Sequence, residues 1–155
     1  MEIELLTEFC KAVRNSTTKR LELVPEGYEN WKISPKALSF AETAKHIIDL
    51  DNWLFEKIKN PKIKSIETET AIIKHCSRNE FEELISGLKE ILEKKISLIN
   101  SFDEERLKEK MYDDAYDSEI SIAWLILRRN LDHEIHHRGQ IAAYLRVLKD
   151  KNVIL

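Results

Sequence analysis

SEISIAWLILRRNLDHEIHHRGQIAAYLRVLK, residues 118–149, is the longest uninterrupted helical pattern in the chain. It contains no proline, and its apolar residues recur every three or four positions, the spacing of one face of an α-helix. That apolar face consists of Ile120, Ala123, Trp124, Leu127, Leu131, Ile141, Ala142, Leu145 and Leu148. The pattern predicts a helix from about Ser118 to Lys149.

Polar side chains interrupt the apolar face in the middle of this helix. Successive residues advance by 100° around a helix axis, so the centre of the face passes through Glu134 and Arg138. Asn130, His133 and His137 lie along one edge of it. Buried polar groups without partners cost on the order of a few kcal/mol each, so something must satisfy these side chains. Glu134 is expected to form an internal ion pair with Arg138, four residues on.

Two histidines of this helix are candidate metal ligands. His133 and His137 are four residues apart, so their imidazoles lie one above the other and can point at one ion. The alternative is a solvated or hydrogen-bonded pair, but the polar break in the apolar face favours ligands. A third ligand must come from elsewhere. His46 is the best placed, because it is predicted in mid-helix, whereas His75 lies in a charged connection and His136 faces away.

The same residues match H-E-x-x-H, the zinc-binding helix of metalloproteases. The sequence has no Glu after Glu134, so a downstream glutamate ligand is missing. Gln140 and Ala143 stand where the extended protease signature has Gly and His. We therefore do not expect a peptidase.

Three further helices are predicted upstream of residue 118. With only three Gly and three Pro, the chain has few residues that interrupt helices. The predicted helices span about Glu2–Leu23, Ser39–Lys59, and Ser77 or Asn79 to Phe102, the second opening on a capping-box pattern of Ser39 and Glu42. Long connections, 61–76 and 103–117, separate the last three helices. The sequence thus predicts an all-α four-helix bundle with long crossover connections, forming one domain over residues 1–155.

Composition excludes several other classes of protein. The chain has 43% hydrophobic and 34% charged residues and a net charge of −3 with both signs mixed, which indicates neither disorder nor nucleic-acid binding. No apolar run approaches the roughly 18 residues of a membrane span. Cys10 and Cys76 are too few for a disulfide framework, and the first residues lack the apolar core of a signal peptide. We expect a cytoplasmic protein.

Two segments carry a family resemblance. The run from Asp132 to Arg146 contains H-x-x-x-H-R-G-Q followed by Y-L-R, and it resembles the signature of the DinB/YfiT-like superfamily. Residues 39–46, SFAETAKH, are similar to the S-x-x-E/D…H segment of that family, and Trp31 and Pro35 also fit. The resemblance covers nearly the whole chain.

The resemblance implies a four-helix bundle that binds one divalent ion, usually zinc or nickel. By motif position the ligands are His46, His133 and His137, with water completing the shell. The resemblance also implies a homodimer that acts on a small molecule. Relatives include S-transferases that use bacillithiol, mycothiol or glutathione, as well as maleylpyruvate isomerases and metal-dependent hydrolases.

The chemistry of such a site agrees with an enzyme. Three protein ligands and a water are typical of catalytic zinc, and the metal can acidify a bound water or bind a thiol as thiolate. Asn130 and Tyr144 share the helix face of the ligands and are expected to orient a substrate or a water, although Tyr144 is equally suited to core packing. Gln140 is expected to satisfy buried polar groups. The alternatives are a non-catalytic metal-binding, stress-related dimeric bundle and an interaction bundle without a metal.

Overall fold

Four long helices dominate the computed structural model, which describes residues 2–154. The elements in chain order are α1 (Ile3–Leu21), α2 (Phe40–Lys59), a 3-10 turn (Thr68–Ala71), α3 (Arg78–Asn100), α4 (Glu104–Lys108), β1 (Lys110–Asp113), β2 (Ser118–Ser121), α5 (Ile122–Trp124), a π-helical segment (Leu125–Leu131) and α6 (Asp132–Asp150). The backbone remains helical from α5 through the π-helical segment into α6, and we call residues 122–150 the last helix. The predicted four-helix bundle is confirmed.

The start of the last helix differs from the prediction. Residues 118–121 form an antiparallel hairpin with residues 110–113, in which Ile120 lies opposite Met111. Asp117 has a left-handed backbone conformation (φ 48°), which aspartate tolerates better than most residues and which permits the tight turn. Ser121 then begins the helix by accepting a hydrogen bond from the backbone N–H of Trp124. Ile120 is a buried residue of this strand, and its position in the sequence matched the helical spacing of buried residues by coincidence.

Serine residues begin α2 and α3. Ser39 accepts a hydrogen bond from the backbone N–H of Glu42, as predicted. The Glu42 carboxylate, however, accepts a hydrogen bond from Lys32 Nζ and is not seen to close a capping box. A complete capping box forms instead at α3, where Ser77 and Glu80 satisfy each other's backbone N–H groups.

The apolar core consists of two clusters, one towards each end of the bundle. The first includes Leu6, Val13, Trp53, Leu54, Ile99, Ile122 and Leu131, and the second includes Leu21, Phe40, Ala44, Phe81, Leu88, Ile141 and Leu148. Thus α1 and the last helix run from the first cluster to the second, while α2 and α3 run the opposite way. Parallel α2 and α3 require the long connection between them. Among the helices of residues 2–154, none has the length and apolar character needed to cross a bilayer.

A buried layer of charged side chains separates the two clusters. Each long helix contributes one residue: Arg14, Asp51, Lys95 and Glu134, each at most 1% exposed. Arg14 donates to Asp51 Oδ2 at 2.7 Å and to the two oxygens of Glu134 at 2.8 and 2.9 Å. Lys95 donates to Asp51 Oδ1 at 2.8 Å and lies 3.9 Å from Glu134. Two cations and two anions therefore balance within the layer.

The predicted ion pair of Glu134 with Arg138 is wrong. Glu134 pairs with Arg14 of α1, while Arg138 is only half-buried. A helical wheel placed Glu134 correctly on the buried face, but it shows nothing of the partner that another helix brings there. Burial alone would raise the pKa of Asp51, but Lys95 and Arg14 outweigh this effect and hold that pKa below its usual range.

We predict that Arg14→Met destabilises the protein by about 3–5 kcal/mol, because Glu134 then keeps a buried charge without its main partner. Lys11→Met, at an exposed position of the same helix, should change the free energy of unfolding by no more than about 0.5 kcal/mol. Urea denaturation followed by circular dichroism measures both variants. Equal free energies of unfolding for the two would contradict a stabilising role of the charged layer.

Candidate metal centre

Three imidazoles meet between α2 and α6. Ring centroids lie 5.2 Å apart for His46 and His133, and 4.8 Å apart for His46–His137 and for His133–His137. One nitrogen from each ring can be chosen so that all three lie within 4.8 Å of one another. Nε2 of His46 lies 3.4 Å from Nε2 of His133, and two nitrogens bound to one tetrahedral zinc are separated by about 3.4 Å. The structure thus brings together the three predicted ligands.

The charged layer positions the two helices that carry these histidines. His46 precedes Asp51 on α2 by about one and a half turns, and His133 and His137 flank Glu134 on α6. Arg14 binds both carboxylates and so sets the relative placement of α2 and α6. Within α6, the four-residue spacing stacks the rings of His133 and His137, whose planes differ by 22°.

All three imidazoles have depressed pKa values. Burial lowers the pKa of His46 to about 4, and the nearby His137 adds to this effect. Burial likewise lowers the pKa of His133 to about 4, with further contributions from His137 and His46. Burial also lowers the pKa of His137, although its hydrogen bond to Gln140 opposes the shift. The rings are therefore neutral at pH 7 and retain the nitrogen lone pairs that a metal needs.

Gln140 orients the ring of His137. Its side-chain Oε1 lies 2.8 Å from Nδ1 of His137, and an amide oxygen can only accept, so Nδ1 carries the proton. Nε2 of His137 consequently has a free lone pair, and this buried atom has no hydrogen-bond partner within the described residues. A buried acceptor without a partner fits a metal ligand. The expectation that Gln140 serves a buried polar group is confirmed.

The two remaining histidines stay outside the cluster. His136 is exposed and lies 3.2 Å from the Gln140 amide nitrogen. His75 is exposed beside Asn30. The sequence predicted both positions, with His136 facing away from the site and His75 in the connection after α2.

The hydrogen bonds of the Asn130 and Tyr144 side chains go to groups other than the three imidazoles. The Asn130 amide donates to Asp51 Oδ1 at 2.9 Å and accepts from Lys95 Nζ at 3.0 Å, so Asn130 belongs to the charged layer. The Tyr144 hydroxyl donates to the carbonyl oxygen of Leu38 at 3.0 Å, and its ring packs edge-on against Trp31 and Phe40. A role in orienting a substrate stays a prediction for both residues.

A small cavity beside His133 contains residues that the sequence did not indicate. The space measures about 20 Å³, which is room for about one water molecule, and its lining consists of Leu50, Trp53, Ser65, Ile66, Arg129 and His133. Arg129 could have been suspected, because it precedes His133 by four residues and so tends to share its helix face. Ser65 lies in the connection after α2, where no pattern pointed to it.

Comparisons with known proteins agree with this architecture. The sequence model of the DinB family matches residues 2–153. A search of curated proteins finds no match. The structure is similar to YjoA, a DinB-like protein of Bacillus subtilis (21% identity, 94% of this chain and 92% of that chain, TM-score 0.69). It is also similar to a DinB-like protein of Bacillus cereus (16% identity, 91% of each chain, TM-score 0.68).

A third similar structure is YfiT from Bacillus subtilis, described as a probable metal-dependent hydrolase with an unusual four-helix bundle topology. It shares 11% identity over 93% of this chain and 87% of that chain, with a TM-score of 0.72. At these identities the solved structures establish the fold.

We predict that His137→Ala removes most of the bound metal, whereas His136→Ala, one residue away, leaves it in place. Of these two rings, that of His137 has a buried nitrogen without a hydrogen-bond partner among residues 2–154, whereas that of His136 is exposed. Elemental analysis of the two purified variants measures the difference. Equal metal content would refute the ligand assignment.

We predict that Gln140→Ala weakens metal binding by about 10- to 100-fold, because the ring of His137 loses the acceptor that orients it. Gln140→Glu, which keeps an acceptor, should retain tight binding. Titration against a chromophoric zinc chelator gives the affinities. An unchanged affinity in Gln140→Ala would show that packing alone orients His137.

Proposed function

The chain belongs to the DinB family, and we propose that it is a divalent-metal-dependent enzyme acting on a small molecule. The observation that carries this proposal is the convergence of three neutral imidazoles, from His46, His133 and His137. Within residues 2–154, no Cys, Asp or Glu joins the group as a fourth ligand. Three protein ligands leave a coordination position for an exogenous ligand, which is the pattern of catalytic rather than structural zinc sites.

Zinc or nickel is the metal we propose, since imidazole nitrogen suits both. A divalent ion held by these nitrogens would lower the pKa of a thiol or water bound with it and supply a nucleophile at neutral pH. The chain's own part is to hold the rings neutral by burial, to orient His137 through Gln140, and to leave a small cavity beside His133.

We propose an S-transferase that uses a low-molecular-weight thiol of the bacillithiol type. Residues 132–146 resemble the signature of a superfamily that includes thiol-using transferases as well as isomerases and hydrolases, and this supports thiol transfer as one candidate reaction. The chain's own cysteines are unsuitable nucleophiles, because burial raises the pKa of Cys10 to about 11 and also raises that of Cys76. A sulfur nucleophile would therefore come from a separate thiol.

Hydrolysis is the second candidate reaction. The description of YfiT as a probable metal-dependent hydrolase supports it, because that structure shares the fold of this chain. The Glu134 carboxylate is not available as the general base of such a hydrolysis, the role it has in the H-E-x-x-H proteases. Arg14 and Thr17 already bind both of its oxygens.

We also propose that the protein works as a homodimer in the cytoplasm, with residues 1–155 as one domain. Leu5 and Phe9 of α1 are 58% and 44% exposed, and Trp124 is 44% exposed, which gives the outer surface apolar area that a second copy would cover. Both cysteines are unpaired, in keeping with a reducing compartment. Light scattering after size-exclusion chromatography measures the mass in solution.

The test of the proposed function combines metal analysis with two activity assays. We predict about one zinc or nickel per chain, and metal-dependent conjugation of bacillithiol, mycothiol or glutathione to an electrophile such as monochlorobimane. His133→Ala should abolish the activity, and His136→Ala should retain it. An ester-hydrolysis assay with the same variants runs in parallel.

Each outcome of this test decides between the candidates. Ester hydrolysis without thiol conjugation would replace the transferase by a hydrolase. Bound metal without either activity would favour the non-catalytic, stress-related metal-binding bundle. A metal-free protein that cannot be loaded would refute the proposed function.

A further inference from the structure

Arg129 and His133 line the same cavity beside the three imidazoles. Both project from the last helix, about one turn apart. The cavity lining contains no Asp or Glu, so Arg129 is its only charged group. The charge of Arg129 is paired with the buried carboxylate of Asp113, so what Arg129 offers the cavity is a guanidinium hydrogen-bond donor.

The Arg129 guanidinium is held in a fixed position. It lies over the Trp53 ring, 5.0 Å from the ring centroid. Its Nε donates to Asp113 Oδ2 at 3.2 Å and lies 3.0 Å from Oδ1 of the same carboxylate. Its Nη2 donates to the hydroxyl of Ser65. In the part of the chain that the structure describes, Nη1 has no acceptor. A preorganised guanidinium with one uncommitted nitrogen is well suited to bind a ligand oxygen.

An apolar groove adjoins the cavity. Trp53 and Ile66 line both, and the groove continues on the outer side of α2 towards Ile63 and Thr70. Most of the exposed groove surface is apolar, although Asp49, which pairs with Lys45, and Glu56 also border it. A molecule that reached the imidazoles from the groove would place its apolar part against Trp53 and Ile66 and its polar end beside Arg129.

We propose that Arg129 binds the substrate and that the substrate is an organic carboxylate with an apolar body. Nη1 of Arg129 donates to the carboxylate, and the apolar body lies along Trp53 and Ile66. This inference rests on the proposed metal-dependent function of the same site. The competing explanation is that Arg129 only anchors the β-hairpin to the bundle through the buried Asp113.

The test uses the cobalt(II)-loaded protein, whose visible absorption bands respond to ligands bound at the metal site. The probes are hexanoate and its neutral analogue hexanamide, titrated separately. The wild type should bind hexanoate at least about tenfold more tightly than hexanamide, because only the carboxylate forms a hydrogen-bonded ion pair with Arg129. Arg129→Gln should lose this preference and bind hexanoate about tenfold more weakly.

Arg128→Gln is the matched control, because Arg128 is the adjacent, exposed arginine that pairs with Asp132. It should leave both affinities within about twofold of the wild type. If Arg129→Gln alone fails to fold, the double variant with Asp113→Asn removes the unpaired buried carboxylate and should show the same loss of preference.

The outcomes separate this inference from the proposed function. Normal cobalt bands with an unchanged hexanoate affinity in Arg129→Gln would overturn the inference and leave Arg129 as an anchor of the hairpin. A wild type that shows cobalt bands but no preference for hexanoate would overturn it as well. A wild type that binds no cobalt would overturn the proposed function and the inference together.

Discussion

The contact of Arg14 with two buried carboxylates is the interaction on which the rest of the structure depends. One guanidinium binds Asp51 on α2 and Glu134 on α6, and Lys95 of α3 completes the charge balance. Because a buried charge that loses its partner is strongly destabilising, this layer allows few other arrangements of the four helices. The histidines lie close to Asp51 and Glu134 on the same two helices, so the layer that orders the bundle also brings the imidazoles together.

Electrical neutrality of the layer has a consequence for the site. Two cations face two anions there, and the pKa of His46 is lowered by the burial of its own ring, by His137 and by Lys45. Burial then dominates and keeps the rings uncharged, which leaves their lone pairs available. The site thus combines a rigid frame with ligands that need no proton release before they bind a metal.

The candidate metal centre has different neighbours on its two sides. On one side Gln140 fixes the ring of His137, and on the other His133 borders a cavity with Arg129 and Trp53. The first contact leaves Nε2 of His137 with a free lone pair, and the second places the Arg129 guanidinium, which pairs with Asp113, beside His133. The H-E-x-x-H pattern here serves a different purpose from that in a protease, since Glu134 is bound within the charged layer.

Local sequence was sufficient for the four long helices and for the stacking of His133 and His137, because helical periodicity and a four-residue spacing are properties of one segment. His46 was predicted as their partner from its mid-helix position and from the family resemblance. The partner of Glu134, the hairpin at residues 118–121 and the placement of Arg129 beside His133 were settled only by tertiary structure. Each of these depends on a contact between segments far apart in the chain, as when Arg14 reaches a carboxylate 120 residues away. A wheel drawn for one helix contains no information about what another helix places against it.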